Sequence, residues 1–175
     1  MANAKVAVLA GSDSDLEIVE EACKKLSDFS IPYELRITSA HRSPERTAQY
    51  ARLAERRGIE VIIVGAGAAA HLAGVVASMT ILPVIAIPID SSALSGLDAL
   101  LASVQMPAGV PVATLAIGKA GGANAGILAA QILARKDPTL AQKLKSYKKE
   151  LARGVQEKDR KLQLRIRTKK RSREP

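Results

Sequence analysis

The sequence predicts an α/β protein, a three-layer, doubly wound parallel sheet with a C-terminal helix extension. Three observations carry that expectation. Short β-branched or aliphatic runs alternate with helical patterns along the 175 residues, and strand–helix–strand alternation requires right-handed crossovers between parallel strands. Apolar residues make up 47% of the chain, yet Trp is absent, Phe29 is the only Phe, and Tyr33, Tyr50 and Tyr147 are the only Tyr. The core is therefore Ala, Val, Ile and Leu, which suits a sheet covered on both faces by small-residue helices. The length fits one domain with a core of its own.

The elements follow in order. "KVAVLA" (5–10), "YELRIT" (33–38), "VIIVGA" (61–66), "VIAIPI" (84–89) and "VATLAI" (112–117) read as strands. Between the first two, apolar positions 16, 19, 22, 23 and 26 mark an amphipathic helix over "DLEIVEEACKKLSDF". Ser43 and Pro44 supply an N-cap and a first-turn proline for a second helix, whose Tyr50, Ala51 and Ala54 share a face. "AAHLAGVVASM" is a short, almost wholly apolar third helix. "NAGILAAQILA" (124–134) is apolar on all sides, as a helix buried against a sheet or in a subunit interface must be. From Asp137 and Pro138 a last helix carries Leu140, Leu144, Tyr147, Leu151 and Val155 on one face. Residues 91–111, "SSALSGLDALLASVQMPAGVP", show no clear period and read as a long loop, functional or interfacial.

Charge separates the chain into two parts. The formal net charge is +9, but residues 158–175 hold nine Lys/Arg against Asp159 and Glu174, a net of +7 that leaves +2 for residues 1–157. The expected organisation is a single α/β domain over 1–157, including the C-terminal helix, and a basic, flexible tail over 158–175. Such a tail reads as a solvated end. Nucleic-acid binding is disfavoured because aromatic stacking platforms are missing. Cys23 stands alone, so no disulfide forms within the chain and no cysteine metal site exists. It shares a helical face with Leu16, Val19, Ala22 and Leu26 and reads as core. The chain enters its first strand within four residues, leaving no room for a signal sequence, and no apolar run reaches membrane-spanning length. A cytoplasmic protein is expected.

In a doubly wound sheet, sites lie beyond the carboxyl ends of the strands. After the first strand comes "GSDSD". Gly11 permits a tight turn, Ser12 and Ser14 offer hydroxyls, and Asp15 opens a helix whose N-terminus suits a phosphate or carboxylate. Ser14 and Asp15 serve equally well as a plain helix cap. This loop is neither a G-x-G-x-x-G turn nor a Walker lysine loop, which weakens NAD and ATP as ligands. After the second strand comes "ITSAHRSPER", where Arg42 can fork onto a phosphate, Ser39 can donate to it, and His41 is the residue type best matched to passing a proton. A loop histidine is also an ordinary surface residue. After the third strand comes "GAGAAAHLAG", where Gly65 and Gly67 admit a close ligand and small side chains leave room for a flat ring. His71, on an apolar helical turn, reads equally as a satisfied core residue.

Taken together, "GSDSD", "SAHR", "GAGAAAHLAG", "LPVIAIP" and "ALSGLDALLASVQMPAGVPVATLAIGKAGGANAGILAAQIL" resemble, in order and spacing, the class I (bacterial-type) N5-carboxyaminoimidazole ribonucleotide mutases, the PurE family of purine biosynthesis. The resemblance covers about residues 5 to 151. The expected arrangement of the sheet is then flavodoxin-like. The resemblance implies a cofactor-free, metal-free rearrangement that moves a carboxylate from the exocyclic nitrogen of an aminoimidazole ribonucleotide to ring carbon 4. It assigns the proton shuttle to His41 and ribonucleotide contacts to Ser12, Asp15 and Arg42, with Ser14 and Ser39 nearby. The segment Gly67, Ala69, Ala70, His71 and Leu72 would wall the base and carboxylate. It also implies a homo-octamer. The chain departs from the family pattern at Ala68, Ala73, Ala86, Ala99 and Ala102. Two other functions stay open on sequence grounds: a related enzyme that carboxylates aminoimidazole ribonucleotide directly, and an inactive ribonucleotide- or nucleic-acid-binding relative whose tail is the working part.

Overall fold

The computed structural model describes residues 3–171, and side chains up to residue 168. Residues 172–175 of the expected tail lie outside the described part. The chain divides at Leu133/Ala134 into two compact units.

The first unit is a five-stranded, all-parallel sheet. Its strands are β1 (Val6–Ala10), β2 (Tyr33–Ile37), β3 (Val61–Gly67), β4 (Val84–Ile89) and β5 (Ala113–Thr114), in the order β2-β1-β3-β4-β5. This is the flavodoxin-like order, whose switch point falls between β1 and β3. β1 and β4 are buried at every position and β3 at all but its last, as strands covered on both faces must be. β2 is an edge strand, exposed or half-buried at every position. It is tied down by Glu34, which accepts hydrogen bonds from the Tyr50 hydroxyl (2.6 Å) and Arg57 (2.5 Å). Burial opposes the Glu34 charge, but Tyr50 and Arg57 outweigh it and hold the carboxyl below its usual range.

Helices α1 (Leu16–Asp28), α2 (Pro44–Ala54), α3 (Leu72–Ala77), α4 (Leu97–Val104) and α5 (Lys119–Leu133) connect and cover the strands. α1 buries Val19, Ala22, Cys23 and Leu26, as its period requires. Burial pushes the Cys23 thiol up to about 11, which keeps it unreactive. α5 begins five residues before its expected start. Its buried face is Gly121, Gly122, Ala125, Gly126, Ala129 and Ala130, small enough for its backbone to lie almost on that of α1.

Three expectations are corrected. Residues 91–111 are not one loop, because α4 forms within them. Its Leu97, Leu101 and Val104 point outward while Ala99 and Ser103 are buried, so the usual rule of large apolar residues inward is reversed and the period is hidden. The fifth strand is two residues long rather than six. Finally, the boundary expected at 157/158 is not a break in the backbone. In the second unit α6 (Pro138–Arg171) runs unbroken for 34 residues, about 51 Å of helix. Asp137 caps it by accepting from the Leu140 N–H at 3.0 Å. Beyond residue 157 the chain has no Gly or Pro until the final Pro175. Lys, Arg, Gln and Leu there are good helix formers, and Glu157 pairs with Lys161 one turn on.

Candidate active site

The carboxyl ends of β1, β2, β3 and β4 enclose a cavity of about 180 Å³ at the sheet's switch point. From the first loop come Gly11, Ser12, Ser14 and Asp15; from the second Ser39, Ala40, His41 and Arg42; from the third Ala66, Gly67, Ala69 and Leu72. Ser91, just past β4, closes the wall.

The first loop forms a 3-10 turn over Asp13–Asp15 before α1 begins. Neither Ser12 nor Asp15 makes a side-chain cap bond to the helix that follows it. Instead the Ser12 hydroxyl donates to Asp13 at 2.8 Å, and Asp13 also accepts from the Ser14 N–H at 3.1 Å. These bonds hold the Asp13 carboxyl below its ordinary range, with Arg42 adding a smaller pull. Asp15 is only 4% exposed although it lines the cavity, and burial pushes its carboxyl above the usual range.

The second loop is a compact hydrogen-bonded knot. Ser39 accepts at its carbonyl from the Ser43 hydroxyl (3.1 Å) and the Thr47 hydroxyl (3.2 Å), and its own N–H donates to the Ser43 oxygen (3.2 Å). The Arg42 N–H donates to the Ser39 hydroxyl at 3.2 Å. Ser43 thus precedes Pro44 at the N-cap position, as expected, but spends its hydroxyl on the loop rather than on the helix. Buried Thr38 and Thr47 bond each other at 2.7 Å and anchor the knot to α2. The knot fixes the backbone on either side of His41, and the Arg42 guanidinium reaches across to the Gly11 carbonyl (3.5 Å).

Nine of the eleven residues singled out from sequence line this cavity: Ser12, Ser14, Asp15, Ser39, His41, Arg42, Gly67, Ala69 and Leu72. Ala70 does not; it is 1% exposed in the core. His71 is not among the lining residues and is no core residue either. It is exposed and meets His41, Nε2 of His41 lying 2.9 Å from Nδ1 of His71. Gly65 has a packing role, since a β-carbon there would fall 2.2 Å from Cγ1 of Val19 on α1. Gly67 is required by Ser91, whose Oγ lies 1.8 Å from where a β-carbon would stand. Ser91 itself was missed by sequence reasoning, although the rule that found the other loops also points to the end of the fourth strand. Ala68 adopts φ +49°, left-handed backbone that costs a residue with a β-carbon roughly 1 kcal/mol.

The Asp15 carboxyl makes a pH prediction. A carboxyl whose pKa is higher folded than unfolded binds its proton more tightly in the fold. Stability therefore falls as pH rises through the window between the two values and stays lower above it. Asp15→Asn removes that charge, so at neutral pH the variant is expected to melt above the wild type. The advantage shrinks as pH falls through that window. Thermal melts of both proteins from about pH 3 to about pH 8 check it.

Known proteins resemble this chain in sequence and in fold. A sequence model of the AIR carboxylase family matches residues 5–154, and the chain belongs to that family. Among its relatives are N5-carboxyaminoimidazole ribonucleotide mutases. That of Pyrococcus horikoshii is 55% identical over 158 residues, covering 90% of this chain and 88% of the relative. That of Thermotoga maritima is 55% identical over 159 residues, covering 91% and 92%. The crystal structure of Treponema denticola PurE superposes with a TM-score of 0.80 at 32% identity, covering 90% of this chain and 97% of that one.

Proposed function

We infer that this chain is an N5-carboxyaminoimidazole ribonucleotide mutase of purine biosynthesis, an isomerase acting at the cavity between β1, β2 and β3. The observation that carries the reading is the meeting, in one cavity, of an arginine, several hydroxyls, a buried carboxylate and a loop histidine. These come from two strand ends separated in sequence, with a third supplying the small-residue wall, and relatives more than half identical bear that name.

Each group has a task in that reaction. Arg42, with the hydroxyls of Ser12, Ser14 and Ser39, binds the phosphoribosyl part, because guanidinium and hydroxyl donors match phosphate and ribose oxygens. Asp15 accepts from a sugar hydroxyl. Gly67, Ala69 and Leu72 form the flat, small-residue wall for the base, with Ala70 and His71 behind it. His41 gives a proton to the exocyclic nitrogen as its bond to the carboxylate breaks and carbon dioxide is released. Carbon 4 of the ring then attacks the carbon dioxide, and His41 takes back the proton that carbon 4 carries. One proton leaves and one returns, so no redox partner or nucleotide cofactor is consumed. The wall must keep carbon dioxide from escaping between the two steps.

Ultraviolet monitoring of the purified protein with the carbamate ribonucleotide tests the reading. Conversion at a rate independent of added bicarbonate is expected. A rate that requires bicarbonate and the uncarboxylated ribonucleotide would instead assign direct carboxylation.

The protein works as a homo-octamer in the cytoplasm. The outward-facing Leu94, Leu97, Leu101 and Val104, each 47 to 61% exposed in the single chain, support burial between copies. Among the described residues no helix is long and apolar enough to cross a membrane. Sedimentation velocity is expected to show one large species; a monomer would refute the assembly.

A further inference from the structure

We propose that His71 is a positioning residue for His41, setting which of its nitrogens carries the working proton. The inference rests on the mutase reading for its kinetic arm and on geometry alone for its spectroscopic arm. His41 stands on the knotted loop after β2, and His71 stands thirty residues later at the N-cap of α3. Their rings meet edge to face, with centroids 5.0 Å apart and planes at 88°. Nε2 of His41 and Nδ1 of His71 are 2.9 Å apart, the separation of a good nitrogen–nitrogen hydrogen bond.

Such a bond needs one N–H and one lone pair, so the two rings cannot choose their tautomers independently. When His41 is an imidazolium both of its nitrogens carry hydrogen. The bond then survives only if Nδ1 of His71 is the acceptor, which places the His71 proton on Nε2. The same arrangement serves neutral His41. Its Nε2–H stays on His71, and its Nδ1 is left as the free lone pair. Proton transfer to substrate therefore leaves from and returns to Nδ1 of His41, while Nε2 remains anchored on Nδ1 of His71. The Ser39–Ser43 knot fixes the backbone of this histidine, and His71 fixes its ring. A third group holding the base in its working tautomer is a general requirement of histidine catalysis. The charged groups facing this region are Asp13, Asp15 and Arg42 from the first two loops. None of these three is hydrogen-bonded to His41, so the tautomer is left to His71.

The chain has two histidines, so ¹⁵N-histidine labelling of the full-length protein gives spectra that one variant assigns. In the wild type above neutral pH, long-range proton–nitrogen correlations are expected to show His41 as the Nε2–H tautomer. His71→Phe keeps a ring but loses the acceptor, and should turn His41 into a mixture of tautomers. It should lower kcat roughly 10-fold or more, part of the roughly 10²–10⁴-fold that a positioned acid–base group contributes, with KM within a few-fold. His71→Asn places an amide oxygen near the position of Nδ1 and is expected to recover most of kcat and the single tautomer. His71 is exposed, so both variants are expected to fold. The proposal is overturned if wild-type His41 carries its proton on Nδ1, if His71→Phe leaves kcat unchanged, or if His71→Asn does no better than His71→Phe. A wild type without mutase activity would sink the functional reading, while the tautomer spectra would still decide this one.

Discussion

His41→Asn is expected to lower turnover of the carbamate ribonucleotide about a thousandfold or more, within the range by which a positioned acid–base group accelerates proton transfer. Ribonucleotide affinity should stay within a few-fold of wild type. Asn fills a similar volume and still forms hydrogen bonds but does not pick up and release a proton near neutral pH. The proposed function gives the phosphate and sugar contacts to Ser12, Ser14, Asp15, Ser39 and Arg42, none of which the substitution touches, and the knot that positions residue 41 is built from backbone and serine hydroxyls. Calorimetric titration with the product ribonucleotide, run beside the ultraviolet assay, separates binding from chemistry. Unchanged turnover would remove His41 from the mechanism.

Gly122→Val is expected to have the largest effect on the fold. A β-carbon at Gly122 falls 2.4 Å from the Ile18 carbonyl oxygen, and one at Gly126 falls 2.6 Å from that of Ala22. Both obstacles are the backbone of α1, which no rotamer change relieves. α1 and α5 would have to separate, pulling α1 away from β1 and α5 away from the apolar surface of β3 and β4. The cost is about 3 kcal/mol, the upper end for overpacking a tight core, and lowers the melting midpoint by roughly 6–12 °C for a chain of this size. Gly154 on α6 is the contrasting site, since nothing lies within 4 Å of a β-carbon there. Gly154→Ala should be neutral or raise the midpoint slightly, by up to about 1 kcal/mol of helix propensity. Circular-dichroism melts of the two variants against wild type measure the contrast, and equal melting of Gly122→Val and wild type would refute the close packing.

How much of this was legible in the residues varies by element. The first four strands and the helices following β1 and β2 were readable because their apolar positions recur at the period of the structure they form. β1, β3 and β4 are near-continuous apolar runs, and α1 repeats at three and four residues. α4 escaped because its large residues face outward and its buried face is Ala99 and Ser103. A pattern that assumes large residues go inward reads such a segment as aperiodic. The length of α6 escaped for another reason: dense positive charge suggests a solvated coil, although Lys, Arg and Leu without Gly or Pro also make a sound helix.

At the candidate site, residue types at strand ends were enough to single out Ser12, Asp15, Ser39, His41 and Arg42, because a parallel sheet delivers all its carboxyl-end loops to one rim. The chain alone therefore determined the layers, the rim and the chemistry available there. Only the three-dimensional packing decided that Gly65 makes room for Val19, that Gly67 makes room for Ser91, and that His71 meets His41 rather than the core. Periodicity is written among near neighbours and survives in a one-dimensional reading. A contact of 2.9 Å between rings thirty residues apart depends on where β1, β2 and β3 lie beside one another, and that placement is fixed by burying their apolar faces together.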